Sequence, residues 1–355
     1  MKATTTHIIL FFLMSSLFIN CSPKLAPNKK AEEPFRMFYP KPPDSAKLQY
    51  LTKFDSSKDF GKKQSSFKSK ILGEEAVLSI SKPYGVEIKN GKIYVCDLSR
   101  RIVIIDLENE KFNYFIPVGV GSLLLPVNMS IDDQGNMYIV DIKAKVIKIF
   151  DTRGSYLGPM GMDELIKPTD VFVKHNKVYV CDSYNNRINI YDKNSRKLLK
   201  HFPDTEPKSE EWLYTPTNIF VSDTEVYVSD MGGNTIKTYT LDGEYIRKTG
   251  TYGNRVGQFA RTKGISVDKE GNLYVVDGAF QNVQIFNNKG QTLMGFGENN
   301  GLIGSMILPT SITVDYDNMQ YFQKYVDSKY NLKYIILLAN QYGNKINIYG
   351  RIEPK

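Results

Sequence analysis

Gly264–Gly290 reads GISVDKEGNLYVVDGAFQNVQIFNNKG, and this stretch decides the fold. Gly264 to Val267 is an apolar run. Asp268 to Asn272 turns on Gly271-Asn272, and Leu273 to Val276 is a second run closed by Asp277. After a short loop, Val283 to Phe286 is a third run. Asn288 to Gly290 turns again, and Gln291 to Phe296 completes a fourth. Runs this short, joined by Gly and Asn turns, predict a four-stranded antiparallel unit.

One such unit cannot bury both faces and needs neighbours. The chain supplies them. Pro83, Pro126, Pro168, Pro216, Thr262 and Pro309 open six copies at a spacing of 42 to 48 residues. An Asp closes the second run at Asp97, Asp141, Asp182, Asp230 and Asp277. Third runs read IVIID, VIKIF, INIYD, IKTYT, VQIFN and INIYG. A period in the forties with four strands per copy predicts an all-β, six-bladed β-propeller. The sixth copy has runs for only three strands before the chain ends. Leu48 to Phe54 is an unpaired strand left over near the start, and is predicted to complete that blade and close the ring.

The pattern G-x-F…P-x-G-I-x-V-D-x-x-G-N-L-Y-V-x-D-x-x-N-x-x-I-x-x-F resembles the NHL repeat. The best copy runs from Gly257-Gln258-Phe259 through Gly264 to Phe286, with Thr262 where the family has Pro. The resemblance covers roughly residues 83 to 350 and implies a propeller. It does not name an activity, because NHL-type propellers include lyases, scaffolds, sensors and RNA binders.

Residues 1–20 are expected to be a signal peptide. Lys2 provides a thin positive region, and Ile8 to Ile19 an apolar core too short for a comfortable span. Leu17-Phe18-Ile19-Asn20-Cys21 resembles the lipobox of bacterial lipoproteins, with departures at Phe18 and Asn20. That resemblance implies lipidation at Cys21, membrane attachment through the anchor and a place in the cell envelope, on the periplasmic or cell-surface side. Residues 21–46, rich in Pro, Lys and Ala, read as the lipidated Cys and a flexible tether, with Phe35 to Pro40 an apolar patch on the domain surface. Residues 47–355 read as the propeller, expected to be a monomer.

The chain carries 46 Lys and Arg against 38 Asp and Glu, a formal net charge of +8. The basic clusters, Lys24 to Lys30 and Lys62 to Lys70, are not interleaved with aromatic residues, so nucleic acid is not an expected partner. Of three cysteines, Cys96 and Cys181 occupy one position in non-adjacent copies and are expected to be buried free thiols. Three histidines, His7 in the signal among them, cannot supply the zinc set that the resemblance to α-amidating lyases would require. No nucleophile elbow, Walker loop or HExxH is present, and no catalytic residue is assigned.

The recurrent Asp residues are expected to hold the following turn through its backbone N–H groups, since a function would break their symmetry. Positions that do vary carry more information. Two residues after each copy opens come Gly85, Asn128, Asp170, Asn218, Gly264 and Ser311. Asn128, Asp170 and Asn218 therefore share one channel mouth, a set of oxygen donors suited to Ca²⁺ and similar to the site of lactonase and gluconolactonase propellers, which also use a Glu. The loops after the second strands carry Arg101, Tyr184, Asn185, Arg187, Asn234, Phe280, Gln281 and Tyr342, and Trp212 lies on a connection to the same end. These residues are the expected ligand-binding face. The expected function is a binding or scaffold module for a protein or glycan ligand, with no cofactor. The alternative is a Ca²⁺-dependent hydrolase of the lactonase or phosphoesterase type.

Overall fold

A computed structural model describes residues 36–61, 76–301 and 303–355. Cys21, the expected signal peptide, the first part of the tether and the basic cluster Lys62 to Lys70 lie outside these residues. Five blades are four-stranded antiparallel sheets whose strands follow one another in chain order. Blade 3 is typical, with strands Pro168–Lys174, Lys177–Asp182, Arg187–Asp192 and Leu198–Phe202. All six innermost strands start where the sequence repeat opens, at Pro83, Pro126, Pro168, Pro216, Thr262 and Pro309. Proline fits there because the first residue of a strand needs no ladder N–H. Among the described residues the helical segments are short 3₁₀ turns, and no helix is long and apolar enough to cross a membrane.

Each blade buries one face against the next. Val140, Ile147 and Ile149 of blade 2 share a core with Val171, Val178 and Val180 of blade 3. Period-2 alternation alone would leave one face wet. Here the central strands are apolar on both faces, as in Met137–Asp141, because both are covered by neighbouring blades. Towards the axis the inner strands converge until side chains no longer fit. A Cβ on Gly85 would lie 2.7 Å from the Val127 carbonyl oxygen, and one on Gly264 would lie 2.6 Å from Ser311 Cα.

Closure follows the sequence expectation. Leu48–Phe54 pairs antiparallel with Lys345–Pro354, so the outer strand of blade 6 comes from the start of the chain. A further short strand, Phe38–Tyr39, pairs with Leu48 and Gln49. Met37 and Tyr39 are buried, and the Tyr39 ring meets Phe296 and Tyr349. The patch expected on the domain surface is therefore an edge strand with core contacts. Its apolar side chains are what the tether reading underweighted.

Candidate binding face and central channel

The up-and-down order of every blade puts the second-to-third-strand loops and the blade-to-blade connections at one end of the disc. The Asp at the end of each second strand builds that end. Asp277 accepts from Ala279 N (2.8 Å) and Phe280 N (3.0 Å) in the following loop, and from Ala260 N (2.8 Å) in the connection entering the blade. Asp141 does the same with Ala144 N, Leu124 N and Leu125 N. The turn-holding role is as expected, and the clamp on the incoming connection adds to it. In blade 6 Asn340 stands in this place, accepting from Ile307 N at 3.1 Å.

A second clamp was not anticipated. The middle of the third strand is buried and polar in five blades, at Lys148, Asn189, Lys237, Gln284 and Asn347. Four reach the entering connection. Gln284 Nε2 donates to the Gln258 carbonyl at 2.8 Å, Asn347 Nδ2 to that of Gly304 at 3.1 Å, and Lys148 and Lys237 to those of Ser122 and Trp212. Asn189, fully buried, has no partner for either amide atom. The signal was the Lys, Asn or Gln inside VIKIF, INIYD, IKTYT and VQIFN.

The expected face residues divide into two groups. Tyr184 and Tyr342 are 66% and 69% exposed, and Phe280 is exposed beside them in kind. Of the others, Arg101, Asn185 and Gln281 are held by the scaffold. Arg101 opens a third strand rather than a loop. Its guanidinium meets Asp97 at 3.1 Å and lies 3.8 Å from the centre of the Tyr114 ring. Arg187 likewise opens a strand, opposite Asp182. Asn185 donates to Asp182 at 2.7 Å, and Gln281 accepts from Leu308 N at 3.2 Å. Asn234 sits in a left-handed turn position with φ 50°, and Trp212 is half-buried. What the sequence reading missed at this end is aliphatic. Val118 and Val120, on the connection into blade 2, are 84% and 85% exposed, and Met162, Val256 and Ile303 on other connections are exposed too.

Asn128, Asp170 and Asn218 do come together, all buried at the channel. Asn218 Nδ2 donates to Asp170 Oδ2 at 3.2 Å, and the same carboxylate accepts from Ile219 N (3.0 Å) and Val171 N (2.9 Å). Burial nonetheless pushes the Asp170 carboxyl up to about 7. Asn128 donates its amide to the Thr169 carbonyl at 2.8 Å. This set does not fit calcium well. Its one carboxylate already takes three N–H donors, and among the described residues no three His, Cys, Asp or Glu gather around a cation-sized gap.

The channel holds a cavity of about 180 Å³ lined by these residues with Glu87, Phe172 and Phe220. At the end away from the loop face it meets a wider hollow of about 440 Å³, which Glu87 and Phe172 also line, with Lys89, Asp315 and Tyr321. Burial raises Glu87 to about 7. Asp315 and Asp170 push the same way, and the Ile88 N–H and Lys89 oppose them. The residues from Tyr316 to Lys333 that interrupt the sixth copy form one wall of this hollow. Asn318 caps Asp315 at 2.8 and 3.0 Å and accepts from Gly91 N at 2.7 Å.

No family model and no curated protein matches the chain. Solved structures do. A Bacteroides thetaiotaomicron protein of unknown function aligns with TM-score 0.57 and 15% identity, over 77% of this chain and 70% of its own. A streptogramin B lyase aligns with TM-score 0.54 and 15% identity, over 85% and 97%. Virginiamycin B lyase from Staphylococcus aureus aligns with TM-score 0.52 and 14% identity, over 77% and 96%. At such identities the likeness is one of fold, and the class it supports is the six-bladed β-propeller.

Proposed function

We propose that this protein is an exported, lipid-anchored propeller of the NHL type that engages a protein partner with its loop-bearing face. The observation that carries the reading is the placement of exposed apolar side chains. Among the described residues, large hydrophobic side chains that are exposed lie on outer strands, as Leu157, Leu199, Ile246 and Leu293 do, on the second-to-third-strand loops, or on connections leading to the loop face. The turns at the opposite end carry none. Monomeric proteins rarely gather apolar exposure on one side without a use for it. Aliphatic Val118, Val120, Val256 and Ile303, on the same end as Tyr184 and Tyr342, suit a protein surface better than a glycan, which would take aromatic rings flanked by polar groups. The likeness of Leu17 to Cys21 to a lipobox supports a place in the cell envelope. The calcium-dependent hydrolase is the weaker reading, because Asp170, the one carboxylate of its set, already accepts two backbone N–H groups and the Asn218 amide.

The test is site-directed photo-crosslinking in the native envelope. A photoreactive residue at Val118 or Tyr342 should capture one discrete partner, and one at Asn194, in a turn of the opposite face, should not. Tyr184→Ala with Tyr342→Ala should weaken capture with a melting temperature close to wild type, since exposed substitutions usually change stability by under ~0.5 kcal/mol. Capture from Asn194 alone would move the partner to the other face. Cys21→Ser should leave the protein soluble or as an uncleaved precursor. Normal processing with retained membrane attachment would remove the anchor from the proposal.

A further inference from the structure

The channel cavity sets two carboxylates, Glu87 and Asp170, among the hydroxyls of Ser266, Ser311 and Thr313. Glu87 uses one carboxylate oxygen, which takes the Ile88 N–H at 3.0 Å, and Asp170 keeps spare lone-pair capacity beyond its three donors. Asn218 is 3% exposed and lines the cavity. Its amide nitrogen serves Asp170, and its Oδ1 has no partner. Phe172 and Phe220 add aromatic surface to the wall, their ring centres 5.1 Å apart. Of nearby cations, Lys89 is drawn towards Asp133 at 3.5 Å on the rim.

Acceptors, carboxylates and aromatic faces in a narrow space match one kind of group, a cation that is itself a hydrogen-bond donor. We propose that the channel binds the protonated primary amine of a ligand entering from the hollow beside the sixth-copy insertion, with Glu87 as counter-ion. An ammonium presents three donors, which the free carboxylate oxygens can accept. A bare divalent ion would need Asp170 to give up its backbone donors. The amine needs only what is spare. Two sources share this chemistry, a free aliphatic amine and a lysine side chain on a peptide.

Titration calorimetry on the full chain, at about pH 8 where Glu87 is largely ionised, tests it. The probes are 1,5-diaminopentane, a lysine-containing heptapeptide, n-butanol as the uncharged control, and CaCl₂. Saturable heat with either amine and none with n-butanol is expected, falling roughly tenfold in Glu87→Gln. Tighter binding of the diamine points to a free amine, and of the peptide to a polypeptide source. Both sustain the proposal. If Glu87→Gln does not fold by circular dichroism, Phe172→Leu should show the same direction of loss. No saturable heat with either amine overturns the proposal, as does equal affinity in wild type and variants. Saturable Ca²⁺ binding without amine binding would assign the cavity to the metal.

Discussion

The ring of Tyr50 stands edge-on to that of Tyr349, centroids 5.5 Å apart and planes at 76°. One residue comes from the strand before blade 1 and the other from the last strand of the chain. With Tyr39 and Phe296 they form an aromatic core that holds the two ends of the polypeptide together. Closure by a strand from the far end removes the free edges that an open ring of sheets would show.

That arrangement makes the closing strand a determinant of stability. Leu48 is fully buried, so Leu48→Ala should cost ~2–5 kcal/mol, and deleting 47–54 should lower the melting temperature far more. Thermal unfolding followed by circular dichroism checks both. A deletion that melts like wild type would show that blade 6 does not need its fourth strand.

The recurrent Asp is a two-way clamp. Asp277→Ala strands the N–H groups of Ala260, Ala279 and Phe280, and should cost about 2–4 kcal/mol in urea unfolding. Asp277→Asn should cost less, because Asn340 performs the corresponding job in blade 6. Equal losses from both variants would mean that the charge, rather than the acceptor oxygen, is what matters.

Asn189 and Asn347 share a register position and should respond oppositely to valine. Blade 1 carries Val103 there. Asn189→Val removes a buried amide that has no partner and should raise stability by roughly 1 kcal/mol. Asn347→Val loses the bond to the Gly304 carbonyl and should lower it by about the same amount. Parallel melting curves of the two variants decide it. A loss in both would place a bound water at Asn189.

Glu87 predicts a pH signature. Its folded-state pKa of about 7 lies above the ordinary carboxyl value, so the folded protein holds this proton more tightly than the unfolded chain. The associated stability is fully present below about pH 4 and is lost as pH rises through about 7. Asp315, Asp170 and Lys89 face the same group, and all remain in Glu87→Gln. The melting temperature of Glu87→Gln relative to wild type should therefore climb between pH 5 and pH 8. A difference that stays constant over that range would show that Glu87 titrates as an exposed carboxylate does.

Blade number, strand order and the role of the recurrent Asp could be read from the chain alone. Each is a local matter: Pro or Thr at a strand start, Gly-Asn in a turn, Asp at a strand end, all repeated at one period. Even the closing strand followed from a count, since six copies needed one strand more than they contained. The candidate site was legible only in outline. Neighbours in sequence placed Tyr184 and Tyr342 on exposed loops, but Arg101 and Arg187 turned out to be strand residues. Glu87, Phe172 and Asp315 become neighbours only because three inner strands, tens to hundreds of residues apart, converge on one axis. Depth in that ring, rather than residue type, raises Glu87 and leaves Asn218 Oδ1 without a donor. Such burial is set by the packing of blades that sequence spacing orders but does not bring into contact.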